Sequence, residues 1–146
     1  MTVPEFPVTI FHNPACGTSR NTVAMVREAG YAPEVVEYLK AGWTASQLLD
    51  LSARSGLSLR EMMRDKGTPA AELGLLDPAT PAEAILAAMV EHPILVNRPL
   101  VITPKGVALC RPSEKVLALL DRQIEQFTKE DGEIVIVARI GAPGRS

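Results

Sequence analysis

The stretch that decides the fold is Val8-Thr9-Ile10-Phe11-His12-Asn13-Pro14-Ala15-Cys16-Gly17-Thr18-Ser19-Arg20-Asn21. Val8 to Phe11 is a short apolar run bounded by Pro7 and by Asn13-Pro14, and it reads as a buried strand. A Gly-Thr-Ser turn follows Cys16, after which Val23, Met25, Val26 and Ala29 form a helical stripe. Gly30 stops it, since glycine takes the left-handed conformation that ends helices. Glu34 to Leu39 carries Val35, Val36 and Tyr38 and reads as a second strand. A strand, helix and strand in about 35 residues imply a parallel pair joined by a crossover helix. Cys16 therefore stands after the first strand, where the helix begins.

The rest of the chain is less regular. Thr44-Ala45-Ser46-Gln47 and Ser58-Leu59-Arg60-Glu61 are capping-box patterns ahead of apolar residues. Thr80-Pro81-Ala82-Glu83 repeats the signal, with Pro81 suited to a first helical position. A short helix is expected around Pro69 to Leu75. Residues 42–91 thus read as a run of helices without a strand. Strand signals resume at Ile94-Leu95-Val96 and at Leu100 to Thr103, and Pro104-Lys105-Gly106 turns the chain so that Val107 to Cys110 pairs back as a hairpin. Ser113 can cap a helix holding Val116, Leu117, Leu119 and Leu120. Ile134 to Val137 suits a strand or a terminal helix, and Gly141 to Ser146 a frayed tail. With the middle helices set aside, this is the thioredoxin order. The expected architecture is α/β, a thioredoxin-like mixed sheet with an inserted helical subdomain. In one 146-residue domain, the core takes about 7–41 and 92–133 and the insertion about 42–91.

Bulk composition narrows the function. The chain is 47% hydrophobic and 22% charged, ordinary for a globular protein. A net charge of −2 argues against nucleic-acid binding by bulk charge, so any anion must be met by locally placed cations. No apolar run is long enough to span a bilayer. The opening Met-Thr-Val-Pro-Glu-Phe-Pro lacks the basic-then-apolar layout of a secretory signal, and a cytoplasmic protein is expected. Two cysteines, Cys16 and Cys110, are too few for a disulfide framework, and free thiols are the expectation in a reducing compartment.

Cys16 carries the chemistry. The helix start offers unpaired N–H groups and partial positive charge, Arg20 lies one turn along, and His12 precedes the cysteine by four residues; each can lower a thiol pKa. The N–H groups around Gly17 and Thr18 also form an anion cradle. The alternative is a small buried hydrophobe, a frequent fate of free cysteine, but the neighbours here are polar and turn-forming. His12 can equally be a structural residue closing a strand. Ser19 stands where a dithiol oxidoreductase has its resolving cysteine, so no mixed disulfide is resolved within this motif. A phosphatase-type loop needs arginine six residues after the cysteine, and that residue is Thr22. Arg64, Arg98 and Arg111 are the candidate cations, because a guanidinium fork donates paired hydrogen bonds to an oxyanion. Taken singly, each can also be a solvated surface arginine. Pro99 stands where the thioredoxin hairpin has its cis-proline facing the cysteine, which would bring Arg98 beside Cys16.

The run Thr9 to Thr22, with His92-Pro93-Ile94-Leu95-Val96-Asn97-Arg98-Pro99, Leu109-Cys110-Arg111-Pro112-Ser113-Glu114 and Glu72-Leu73-Gly74-Leu75, resembles the glutaredoxin-dependent arsenate reductases, the ArsC family. The resemblance spans roughly residues 8–133. It implies that Cys16 is the nucleophile, that His12 helps depress its pKa, and that Ser19 hydrogen-bonds the thiolate. It also implies that Arg64, Arg98 and Arg111 bind arsenate and later arsenic intermediates. Cys110 is then given no catalytic role. Glutathione would be the co-substrate and glutaredoxin the protein partner, with no metal, no tightly bound cofactor, no nucleic acid and no membrane. Asp65-Lys66-Gly67-Thr68 and the apolar Ile134 to Val137 depart from the family pattern. The rival reading is a thiol-sensing regulator of the same fold that binds RNA polymerase. Such relatives carry Cys-x-x-Cys at the turn, and Ser19 with the three arginines favours the enzyme.

Overall fold

The computed structural model describes residues 6–122 and 126–136, the side chain of residue 136 excepted. The expected tail from Gly141 to Ser146, and Val137, lie outside the described residues. The chain divides into two compact units, Met1–Val36 with Arg98–Ser146, and Glu37–Asn97.

The first unit holds strand β1 (Thr9–His12), helix α1 (Gly17–Glu28) and strand β2 (Glu34–Glu37), whose last residue already belongs to the second unit. Strands β3 (Leu100–Thr103) and β4 (Gly106–Leu109) follow, then a 3-10 helix (Ser113–Leu119) and a hairpin of β5 (Gln126–Thr128) and β6 (Ile134–Ile136). The main sheet runs β2-β1-β3-β4. It is the mixed sheet of a thioredoxin-like α/β fold. β1 and β3 are antiparallel with Thr9 opposite Ile102 and Phe11 opposite Leu100, and β3 pairs antiparallel with β4, Leu100 opposite Leu109. That register has a direct consequence for the site. The loop after β1, the residues just before β3 and those just after β4 all emerge at one end of the sheet.

Alternation in these strands sets the core. Val8, Ile10 and Val101 point to the face covered by Val23 and Val26 of α1, and Val116 and Leu120 complete the same cluster. Each such side chain contributes roughly 1.5–3 kcal/mol by leaving water. Helix α1 stops as its sequence demands: Gly30 has φ +101°, its N–H donates to the Arg27 carbonyl and that of Tyr31 to Val26, the paired bonds of a Schellman ending.

The second unit is helical: α2 (Tyr38–Ala41), α3 (Ala45–Ser55), α4 (Leu59–Met62), α5 (Ala82–Glu91) and a 3-10 turn (Pro93–Leu95). Thr44 and Ser58 each form a complete capping box, with Gln47 and Glu61 respectively. At the third start, the helix begins after Pro81 and no side chain caps it, because the Thr80 hydroxyl donates instead to the Gly74 carbonyl at 2.8 Å. Tyr38, Leu48, Leu51, Met62, Ile85 and Met89 are fully buried. The Tyr38 hydroxyl donates to the Val96 carbonyl at 2.8 Å, satisfying a polar group that burial would otherwise penalise.

Several local expectations change. The second strand ends at Glu37, and Tyr38 opens helix α2 instead of continuing it. Ser113 does not cap its helix, because Pro112 stands at the N-cap and Ser113 is the first helical residue. Residues 69–75 form turns rather than a helix: Leu73 N–H reaches the Pro69 carbonyl, and the Leu75 and Gly74 N–H groups close the segment on Ala70 and Ala71 after one turn. Arg60 then ties this loop down through the carbonyls of Leu75, Asp77 and Thr80. Ile94-Leu95-Val96 is not a strand either. Pro93 opens a 3-10 turn whose Leu95 N–H bonds to the His92 carbonyl, leaving Val96 a single bridge to Met63. Of the two readings open for Ile134 onward, the strand forms, pairing with Gln126–Thr128.

Candidate functional site

The loop between β1 and α1 is built by Asn13. Its side-chain Oδ1 accepts from the Ala15 N–H at 2.9 Å and its carbonyl from the Cys16 N–H at 3.0 Å, an Asx-type turn over the proline. This delivers Cys16 to the N-cap of α1, in extended conformation (φ −100°, ψ 121°). The N-cap side chain faces the orphan N–H groups of the first turn. Gly17 and Thr18 are the first two residues of that helix and Ser19 the third.

Cys16 is 8% exposed. Burial by itself pushes its thiol up, and this is the largest single influence. The opposing influences together win: the Ser19 backbone N–H, hydrogen bonds from Arg98 and Arg111, and the positive charge of Arg98 bring the pKa down to about 7. Arg111 Nη1 stands 3.5 Å from Cys16 Sγ and also donates to the Arg98 carbonyl at 2.9 Å. Half of such a thiol is ionised at neutral pH, and thiolate is the nucleophilic form.

Ser19 and His12 act on one another. The Ser19 hydroxyl lies 2.6 Å from His12 Nδ1 and accepts from the Asn13 N–H at 3.1 Å. It is the serine's backbone, not its hydroxyl, that stabilises the sulfur anion. Arg20 reaches toward the carboxyl-terminal hairpin, while its positive charge still interacts with the Cys16 sulfur. Its Nε and Nη2 hold Glu130 in a two-pronged ion pair, with Nη2 2.5 Å from the carboxylate, and its Nη1 donates to the Pro14 carbonyl at 2.7 Å.

The structure therefore brings Cys16, Ser19, His12, Arg98 and Arg111 together within the first unit. Arg64 belongs to the second unit, where its Nε donates to the Lys66 carbonyl at 3.1 Å and its Nη1 reaches Asn97 Oδ1 at 3.4 Å. The Arg98–Pro99 and Arg111–Pro112 bonds are both cis. Cys110 is fully buried in the apolar core and burial pushes its thiol up to about 12. Both cysteines are free. Among the described residues, no cluster of three His, Cys, Asp or Glu side chains could hold a metal, and no helix is long and apolar enough to cross a membrane.

Sequence reasoning missed Glu130. A Cβ built on Gly17 would lie 3.4 Å from its Oε1, so this carboxylate borders the start of α1 although 113 positions separate the two in sequence numbering (17 and 130). The only sequence signal was the turn-forming Lys129-Glu130-Asp131-Gly132, which says nothing of where that turn docks.

Comparison with known proteins agrees with this geometry. The ArsC family model matches residues 11–119. An arsenate reductase of Rhizobium meliloti (strain 1021) is 58% identical over 132 residues, covering 90% of this chain and 94% of that protein. One from Escherichia coli (strain K12) is 48% identical, covering 88% of this chain and 92% of the relative. Among solved structures, an arsenate reductase from Vibrio cholerae superposes with a TM-score of 0.75 at 40% identity, covering 79% of this chain and 98% of the other. With the family model over most of the chain and relatives this similar along nearly their whole length, the chain belongs to the ArsC family.

Proposed function

We propose that this chain reduces arsenate to arsenite through a covalent bond between Cys16 and arsenic, with glutathione and glutaredoxin supplying the electrons in the cytoplasm. The observation that carries the reading is the Cys16 sulfur at the helix start, its pKa brought to about 7, with Arg111 Nη1 at 3.5 Å. Arsenate is a tetrahedral oxyanion. The guanidiniums of Arg98 and Arg111 and the N–H groups of Gly17 and Thr18 balance its charge while the thiolate attacks arsenic. The family resemblance implies an anion-binding role for Arg64 as well.

The electron count follows from the thiols. Cys16 displaces water from arsenate, forming a sulfur–arsenic(V) bond. Glutathione displaces a second water and forms another. A glutaredoxin thiolate then attacks the glutathione sulfur; the sulfur–arsenic bonding pair passes to arsenic, which becomes trivalent, and a glutaredoxin–glutathione disulfide leaves. Water releases arsenite and restores the Cys16 thiol. External thiols are required because residue 19 is serine and because Cys110, buried with its pKa at about 12, supplies no thiolate.

The test is a coupled assay with arsenate, glutathione, glutaredoxin and glutathione reductase, following NADPH oxidation. Arsenate-dependent oxidation is expected only when both glutathione and glutaredoxin are present, and Cys16→Ser abolishes it. Turnover surviving in Cys16→Ser overturns the mechanism; turnover without glutaredoxin overturns the electron route.

A further inference from the structure

Two segments far apart in the sequence carry the sulfur and the guanidinium that meet at 3.5 Å, and one short turn touches both. The turn joins β5 to β6 and is closed by Lys129 N–H on the Glu133 carbonyl at 2.7 Å and Gly132 N–H on the Lys129 carbonyl at 2.9 Å. Lys129 is only 9% exposed, which is rare for lysine and needs charge compensation. Its Nζ lies 2.8 Å from Glu114 Oε1 and 3.2 Å from Glu133 Oε1. Glu114 sits three residues beyond Arg111, at the start of the 3-10 helix. The next residue, Glu130, reaches the other way. Its carboxylate grips Arg20, which in turn holds the Pro14 carbonyl, and its N–H donates to Asn21 Oδ1 at 3.0 Å.

We propose that this turn is a positioning clamp for the site: Lys129 tethers, through Glu114, the segment that carries Arg111, while Glu130 tethers, through Arg20 and Asn21, the helix start that carries Cys16. The inference rests on Cys16 being the reactive thiolate. Neither clamp residue touches the sulfur. The exposed Glu130–Arg20 pair alone would be worth little. Lys129 is different: its side chain is 9% exposed and the Glu114 side chain beside it half-buried, so breaking this pair on one side leaves a charge partly withdrawn from water.

The experiment reads the pH midpoint of Cys16 alkylation by iodoacetamide, with thermal melts in parallel, for the full-length chain. Through-space charge and positioning agree for Lys129→Met and make opposite forecasts for Glu114→Gln. Removing a positive charge by Lys129→Met raises a thiol pKa directly, and removing a negative one by Glu114→Gln lowers it. If the clamp positions Arg111, both substitutions slacken the same tether, and both raise the Cys16 midpoint. The expected rise is about half a pH unit or more, an approximately twofold slower alkylation at neutral pH. Lys129→Arg restores the wild-type midpoint. Glu114→Gln keeps the proposal testable if Lys129→Met fails to fold. Shifts of opposite sign, or lowered melting with an unmoved midpoint, overturn the clamp while leaving the reactive thiolate standing. A wild-type midpoint near that of a free thiol removes both.

Discussion

The Ser19 hydroxyl and His12 Nδ1 lie 2.6 Å apart, buried, and the same hydroxyl accepts from the Asn13 backbone N–H. One serine thereby fixes both sides of the loop that presents Cys16, while its backbone N–H steadies the sulfur anion. The division of labour matters, because substitution of the side chain removes the first function and spares the second.

Ser19→Ala is accordingly expected to cost stability first. A buried backbone N–H loses its acceptor, which costs about 1–3 kcal/mol. Urea denaturation of wild type and variant checks this, with the midpoint falling and the slope unchanged. The Cys16 pKa is expected to move less in Ser19→Ala than in Arg111→Met.

Arg111→Met removes a hydrogen bond and a positive charge from the sulfur, so the Cys16 pKa rises from about 7. Arg111→Lys keeps the charge and loses the fork. The KM for arsenate is expected to rise by roughly tenfold or more in Arg111→Met, since a charge-assisted hydrogen bond is worth about 1.5–3 kcal/mol. Lys at the same position should fall between. Steady-state kinetics at fixed glutathione and glutaredoxin measure it.

A thiol whose pKa is lower in the folded than in the unfolded chain makes stability depend on pH. Between about 7 and the free-thiol value of ~8.5 the unfolded chain binds more protons, so stability rises with pH across that window. The contribution is complete above the unfolded value and lost as pH falls through about 7. Comparing wild type with Cys16→Ser isolates it: the gap between their unfolding free energies widens from pH 7 to 9 and is flat below pH 6.

Cys110 is expected to stay unmodified by iodoacetamide in the folded protein at neutral pH, because burial holds its thiol protonated at about 12. Cys110→Ala should keep turnover near wild type and cost about 1 kcal/mol or more in stability from the cavity left in the core. Peptide mapping after alkylation, with a urea melt, tests both.

What could be read from the sequence was local. The Thr44 and Ser58 capping boxes and the stop at Gly30 depend on residues within one turn of each other, and all three form. Local rules failed where a distant partner decided the outcome. Thr80 has the composition of a cap, yet its hydroxyl serves the Gly74 carbonyl. Ile94-Leu95-Val96 has the composition of a strand, but Pro93 and the pairing of Val96 with Met63 set its shape. Arg20 looked like a neighbour of Cys16 by helical spacing; its charge does interact with the sulfur, but its hydrogen bonds go to Glu130 and the Pro14 carbonyl. Cys16 stood out because its surroundings are contiguous in sequence. The meeting of Arg98 and Arg111 with it depends on the β1–β3–β4 register, which no window of residues contains.

The chemistry of the site depends on the Cys16 thiol ionising near neutral pH. Thiolate absorbance at 240 nm, titrated in the Cys110→Ser background so that one sulfur reports, tests it most directly. The account predicts a midpoint of about 7, rising in Arg111→Met. A midpoint at or above ~8.5, the value of an unperturbed cysteine, would contradict it.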